Sequence, residues 1–237
     1  MASRQAGAIQ AVLFDLDGTL VDSELQTDQA IAEVMEHHGR PGVTLPPNET
    51  RGRSWPDIAA ALLREHRLAV PPEQVAAELV EAWASGIDQI EPIPGAVRAV
   101  SEAAMAMKVA VVSSSPRNVI DRFLDRLGVS GEVPATARIG ADEIRRHKPH
   151  PEGFLLAAER FQVMPQECVV FEDSRAGLEA ARSAGMWSVA VLCRCAEPEL
   201  CRSLATRALW DYEALPAGFW QDLASKGARV LEAEWKR

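Results

Sequence analysis

Asp15 and Asp17 stand two residues apart, directly after the apolar run Ile9-Gln10-Ala11-Val12-Leu13-Phe14. Along a strand, side chains i and i+2 share a face, so both carboxylates should leave one side of the strand's C-terminal end. Two anions that close repel and are relieved by a cation, a shared proton, or both. Gly18 then allows a sharp turn that a residue with a Cβ would resist. A turn merely rich in Asp and Gly explains each residue singly but explains the string Asp15-Leu16-Asp17-Gly18-Thr19-Leu20-Val21-Asp22 poorly. Other reactive groups follow other apolar runs. Ser113-Ser114-Ser115 follows residues 109–112, Glu172-Asp173-Ser174 follows residues 168–171, and Lys148 lies in His147-Lys148-Pro149-His150-Pro151. Acids, hydroxyls at a helix mouth and a lysine together suit a phosphate held beside a divalent metal. Mg²⁺ prefers oxygen ligands. The Ser113 hydroxyl and the Ser114 N–H could donate to phosphate oxygens at a helix N-terminus, and Lys148 supplies fixed positive charge.

The elements that must position these groups alternate. Strand-like runs fall at residues 9–14, 109–112, 168–171 and 188–192, with a weaker one near 135–139. Each is short and almost continuously apolar, as parallel strands covered on both faces are. Helical patterns occupy 95–105, 116–127, 151–161 and 174–184. Ser115-Pro116 reads as an N-cap followed by proline at the first helical position, while Gly128 and Gly185 read as helix stops. The alternation predicts an α/β fold with a doubly wound parallel sheet, whose ligands bind outside the carboxyl ends of the strands. Residues 23–91 break the pattern, with helices over 24–38, 55–66 and 72–85 and no strand candidate. They read as an α-helical domain inserted into a core built from residues 1–22 and 92–237, with Pro92-Ile93-Pro94-Gly95 marking the return. Residues 217–228 read as a peripheral helix without a role.

Composition bounds the function. The chain has 237 residues, 47% hydrophobic and 25% charged, with a net charge of −9. That balance argues against nucleic acid or acidic lipid as a general partner but leaves an anionic small molecule open. No apolar run approaches the roughly 20 residues that cross a bilayer, and the N-terminus lacks a signal-peptide core. The expectation is a cytoplasmic protein, monomeric or weakly dimeric. Cys193-Arg194-Cys195 is too tightly spaced for a zinc knuckle, so the four cysteines read as reduced structural or surface thiols.

Taken together the motifs resemble the haloacid dehalogenase superfamily of phosphohydrolases over nearly the whole chain. Asp15-Leu16-Asp17-Gly18-Thr19, Ser113, Lys148-Pro149 and Glu172-Asp173-Ser174-Arg175-Ala176-Gly177 follow that family's order. The insertion at 23–91 resembles the subclass with a helical cap. The resemblance implies that Asp15 is a nucleophile forming an aspartyl-phosphate. It implies that Asp17 serves as acid, then base, and that Mg²⁺ is held by the Asp15 carboxylate, the Asp17 carbonyl and Asp173, with Glu172 nearby. Ser113, Ser114 and Lys148 would bind phosphate. Arg51-Gly52-Arg53-Ser54-Trp55 resembles the cap loop that reaches the site, where Arg51 or Arg53 could bind an anionic or hydroxyl-rich leaving group. Asn118 on the helix after Ser115 could also reach substrate.

The implied reaction is hydrolysis of a small phosphorylated metabolite, a sugar or sugar-acid phosphate. A β-phosphoglucomutase-type mutase is the alternative, although the mutase's cap histidine would fall at Thr27. The phosphonatase branch needs a cap lysine and residues 23–91 hold none; the dehalogenase branch lacks the second acid. A phosphoacceptor signalling domain shares the chemistry but is about half this length and lacks an inserted cap.

Overall fold

The computed structural model describes residues 8–233. Six strands form one parallel sheet: β1 Ala11–Phe14, β2 Lys108–Val112, β3 Arg138–Ile139, β4 Cys168–Glu172, β5 Trp187–Val191 and β6 Arg207–Leu209. Their order across the sheet is β3-β2-β1-β4-β5-β6. The chain winds outward from β1 in one direction and from β4 in the other, so the switch point lies between these two central strands. Every residue of β1, β4 and β5 is buried, which is why their sequences are almost continuously apolar, broken only by Ser188 and by Glu172 at the end of β4.

Register determines what the sheet presents. Phe14 lies opposite Val111 on one side and Phe171 on the other. Asp15 N–H continues the ladder to the Phe171 carbonyl at 3.0 Å, and Ser113 N–H reaches the Ile139 carbonyl at 3.0 Å. The residues just past three strand ends therefore emerge at one height along a single edge.

Eleven α-helices accompany the sheet among the described residues. α1 Glu24–His37, α2 Pro47–Thr50, α3 Trp55–His66 and α4 Pro72–Ser85 come between β1 and α5 Ala96–Ala106. α6 Arg117–Arg126, α7 Glu152–Phe161, α8 Arg175–Ala184, α9 Pro198–Leu204, α10 Phe219–Lys226 and α11 Arg229–Glu232 follow. α4 packs on both α1 and α3. The outgoing and returning chains at the insertion run side by side, with Asp22 N–H bonded to the Glu91 carbonyl at 2.8 Å. Trp83 of α4 meets Trp55 at 5.9 Å and Phe123 of α6 at 5.6 Å, both edge-on, so the inserted helices share one apolar core with the sheet. No helix among the described residues is long and apolar enough to cross a membrane.

Several expectations are corrected. The run at 135–139 forms a strand only at its last two residues; the preceding three make a 3₁₀ turn. The edge strand β6 went unread because three residues, Arg207-Ala208-Leu209, carry no usable period, and pairing with β5 creates it. The segment at 217–228 is not peripheral. Its helix α10 buries Phe219, Trp220 and Leu223, and the Trp220 ring lies 6.0 Å from Phe14 and 5.4 Å from Phe171. It covers the central strands directly behind the site.

Candidate active site

The two acids of the first motif enter different surroundings. Asp15 is buried and accepts a hydrogen bond from Lys148 Nζ. The same ammonium donates to Glu172 Oε1 at 2.6 Å and to the Val112 carbonyl at 3.2 Å. Glu172 Oε2 accepts from Ser174 N at 2.7 Å and Ser174 Oγ at 2.9 Å, so both its oxygens have partners. Asp173 differs. Its Oδ1 accepts from Thr19 Oγ1 at 3.0 Å, whereas Oδ2 is buried without a hydrogen-bond partner.

Asp15 and Glu172 share Lys148, and Asp173 lies beside them. Burial pushes the Asp15 carboxyl up to about 8, with Glu172 and Asp17 adding to the effect and Lys148 opposing it. Burial, then Glu172 and Asp15, also raises Asp173 well above the usual carboxylate range. Burial alone would lower Lys148, but the facing Asp15 and Glu172 carboxylates win and hold it above its ordinary value. Asp15, Glu172 and Asp173 each bring one oxygen to within 4.8 Å of the others. An all-oxygen cluster of excess negative charge, with one buried oxygen unpartnered, fits a hard divalent cation. Gly18 makes room for it. At its φ of +79°, a Cβ would lie 2.2 Å from Asp173 Oδ2.

Asp17 faces hydroxyls instead. Its Oδ1 accepts from Ser23 Oγ at 2.8 Å, and its Oδ2 accepts from Ser115 Oγ at 2.9 Å and Ser113 Oγ at 3.2 Å. Burial raises its pKa while the three hydroxyls pull it down. Ser113, expected at a phosphate, thus donates to the second acid. Ser115, read as a helix cap, has that hydroxyl in the site, and Pro116 occupies the cap position of α6. Ser23 precedes α1 yet makes no side-chain cap bond. Neither Ser23 nor Ser115 was singled out for the site, although a hydroxyl at a strand-to-helix turn is the only signal the sequence offers.

The inserted helices close over this edge. Ser114 Oγ donates to the Gly52 carbonyl at 3.3 Å. Gly52, at φ +69°, passes so near the core that a Cβ would sit 2.3 Å from Ser174 Oγ. Arg51 Nε donates to Glu24 Oε2 at 2.7 Å, and its Nη1 donates to the Arg194 carbonyl at 2.6 Å. Burial pushes Glu24 up to about 7 against the opposing charge of Arg51. The space left between Asp15, Asp17, Thr27, Arg51, Trp55 and Ser114 is about 30 Å³, and no histidine lines it. Beside it lies a cleft of about 260 Å³ bounded by Arg51, Arg53, Asp173, Ser174 and Arg175. Arg53 is exposed there and forms no ion pair with another described residue. Asn118 is not brought to the site. It is exposed on α6 and lines neither space.

The chain is 35% identical over 192 residues to the fructose-1-phosphate phosphatase YqaB of Escherichia coli, covering 81% of this chain and 98% of that protein. It is 32% identical over 183 residues to hexitol phosphatase A of the same organism, covering 76% of this chain and 81% of that protein. A crystal structure of β-phosphoglucomutase from Clostridium difficile superposes with a TM-score of 0.77 at 26% identity, covering 92% of this chain and 98% of that one. The family model for haloacid dehalogenase-like hydrolases matches residues 9–185. That span takes in Asp15, Asp17, Ser113, Lys148, Glu172 and Asp173, and the chain belongs to the haloacid dehalogenase-like hydrolases.

Proposed function

We propose that the protein hydrolyses the phosphate monoester of a small sugar or sugar acid, with Asp15 as nucleophile and Mg²⁺ as cofactor. The observation that carries this reading is the division between the two motif acids: Asp15 sits on Lys148 beside an unpartnered Asp173 oxygen, while Asp17 sits among three hydroxyls. Asp15 and Asp173, with the Asp17 carbonyl, would hold the ion. Glu172 would orient Lys148 and the turn, since its oxygens are already occupied. The bound ion supplies positive charge that lets one anion approach another.

Each step then falls to a named side chain. An Asp15 carboxylate oxygen attacks phosphorus as the bond to the leaving oxygen breaks, and Lys148 balances the charge that develops. Asp17, whose pKa burial raises against the three hydroxyls, would donate a proton to the leaving oxygen. Water then attacks the aspartyl-phosphate. Asp17 takes its proton, the bond from phosphorus to Asp15 breaks, and inorganic phosphate leaves. Ser114 and Lys148 would hold phosphate oxygens, and Ser113 would set the orientation of Asp17 while touching the same group.

The relatives named for fructose 1-phosphate and hexitol phosphates support a polyhydroxylated leaving group, which Arg51 and Arg53 would bind. A mutase has to retain and return its phosphoryl group to a reoriented sugar. Thr27, bonded to the Ser23 carbonyl at 3.1 Å, stands at the sequence position where the resemblance would put a mutase's cap histidine, which favours hydrolysis. Phosphate release should be measured across sugar, hexitol and sugar-acid phosphates, with Mg²⁺ and with chelator. Release that requires Mg²⁺ and falls by about 10⁴-fold or more in Asp15→Asn is expected. Undiminished turnover in that variant, or in chelator, would overturn the assignment.

A further inference from the structure

The segment 192–197 holds the cap to the core, and two sulfurs sit at its base. Arg194 Nε pairs with Asp22 Oδ2 at 2.6 Å, at the point where the chain leaves for the inserted helices. The Arg194 carbonyl accepts from the cap residue Arg51. One loop residue therefore grips both the hinge and the lid of the site. The space between Asp15, Asp17 and the inserted helices is narrow, about 30 Å³, so bringing a sugar phosphate up to both acids calls for this grip to loosen.

Next to Arg194, Cys195 Sγ lies 2.8 Å from Cys201 Sγ. A disulfide bond is about 2.05 Å long, so the two sulfurs are less than an ångström from bonding distance. Cys201 is fully buried in α9, and its thiol donates to the Asp173 carbonyl at 3.5 Å. Cys195 is half-buried on the loop, where a small oxidant can reach it. Cys168 is buried in β4. The structure thus places a half-buried sulfur on the latch loop against a buried sulfur in α9.

We propose that Cys195 and Cys201 are a modification site: an intramolecular disulfide that pins the Arg194 latch and slows cap opening. This rests on the phosphatase reading for its consequence, but bond formation does not. With a hydroperoxide as oxidant, the Cys195 sulfur attacks the terminal peroxide oxygen, the O–O bond breaks, and the sulfur becomes a sulfenic acid while water or an alcohol leaves. The Cys201 sulfur then attacks Cys195 Sγ, and the hydroxide displaced takes up the Cys201 proton as water. Two electrons pass from the sulfurs to the peroxide. The bridge ties residue 195 to α9, and loss of the Cys201 proton removes the hydrogen bond to the Asp173 carbonyl.

The test uses the full chain treated with hydrogen peroxide, then alkylated and digested with trypsin. Arg194 and Arg202 place both sulfurs in one peptide, residues 195–202, and leave Cys193 in another. The expected product is that peptide two hydrogens lighter and unalkylated, restored by dithiothreitol. Phosphate release by the bridged enzyme should fall about threefold or more in kcat and recover on reduction. Cys195→Ser should keep its activity through the same treatment, and Cys193→Ser should respond like the wild type. Alkylation of both sulfurs after peroxide, or a bond to Cys193, would overturn the site. A bridged peptide in an enzyme of unchanged kcat would overturn the latch. Because the peptide is read without substrate, failure of the phosphatase reading leaves that first result standing or falling alone.

Discussion

The core half and the cap half of the cleft are built on opposite plans. On the core side Asp15, Lys148, Glu172 and Asp173 are all buried, come from different strand ends or the loop before α7, and restrain one another through charge-assisted contacts. On the cap side Arg51 is half-buried and shared between Glu24 and a core carbonyl, and Arg53 stands exposed in an open cleft. Burial makes each core charge dependent on its neighbours, because an isolated ion there has no water to turn to. Arg53 on the cap side keeps its water and is free to move. Phosphoryl chemistry needs fixed charges at fixed separations, whereas recognition of a variable leaving group tolerates adjustment. Changes on the core side should therefore be costly and uniform across substrates, and changes on the cap side mild and selective.

The strongest attempt to break that contrast is Asp17→Asn, which keeps the shape but removes the acid. Its kcat should fall by about 10²- to 10⁴-fold on sugar phosphates. The first step alone, read as a p-nitrophenol burst on p-nitrophenyl phosphate, should lose much less, because that leaving oxygen needs no proton. A burst rate that falls as far as the first step on sugar phosphates would remove Asp17 as the acid. Lys148→Met strips the paired cation from buried Asp15 and Glu172. It should lower stability by about 3 kcal/mol in chelator, partly restored by Mg²⁺ in thermal melts, with turnover reduced on every substrate. A melt unchanged in the absence of metal would show that the acids do not depend on the lysine.

Arg53→Ala sharpens the cap side. KM for polyhydroxylated phosphates should rise about tenfold or less with kcat nearly constant, since a partly solvated arginine contributes uniform binding. A matching fall in kcat would place Arg53 on the transferring phosphate instead. The smallest effect expected is that of Glu24→Gln on stability against pH. In the folded chain Glu24 keeps its proton to about pH 7, whereas an ordinary glutamate releases it near 4.5. Between those values the folded form binds more protons than the unfolded one. Its contribution to stability therefore declines as pH rises through that window and is level above it. Glu24→Gln should flatten this part of the melting curve, by a few degrees at most. An unaltered pH profile would mean that Glu24 titrates normally.

Much of the core half was legible because local rules govern it. Asp15 and Asp17 follow an apolar run and precede a glycine, and Glu172-Asp173-Ser174 sits where a strand of period two becomes a helix. Lys148 was marked only by its proline neighbours and the family's order. The cap half was read as helices over 55–66 and 72–85, which match α3 and α4, but not as contacts. Nothing local in Arg194 announces that it meets Asp22, or in Cys195 that it meets Cys201 six residues on. The turn into α9 decides both.

Sequence alone determined the alternation of strand and helix, the inserted helical stretch and the chemical kinds of group past each strand end, since these depend on periodicity and on residues adjacent in the chain. Tertiary structure decided which oxygen faces which donor: Ser113, Ser115 and Ser23 on Asp17, Lys148 between Asp15 and Glu172, and one Asp173 oxygen left over. Those pairings join residues up to 133 positions apart. They form only because parallel register brings separate strand ends to one edge, where burial removes water as the competing partner.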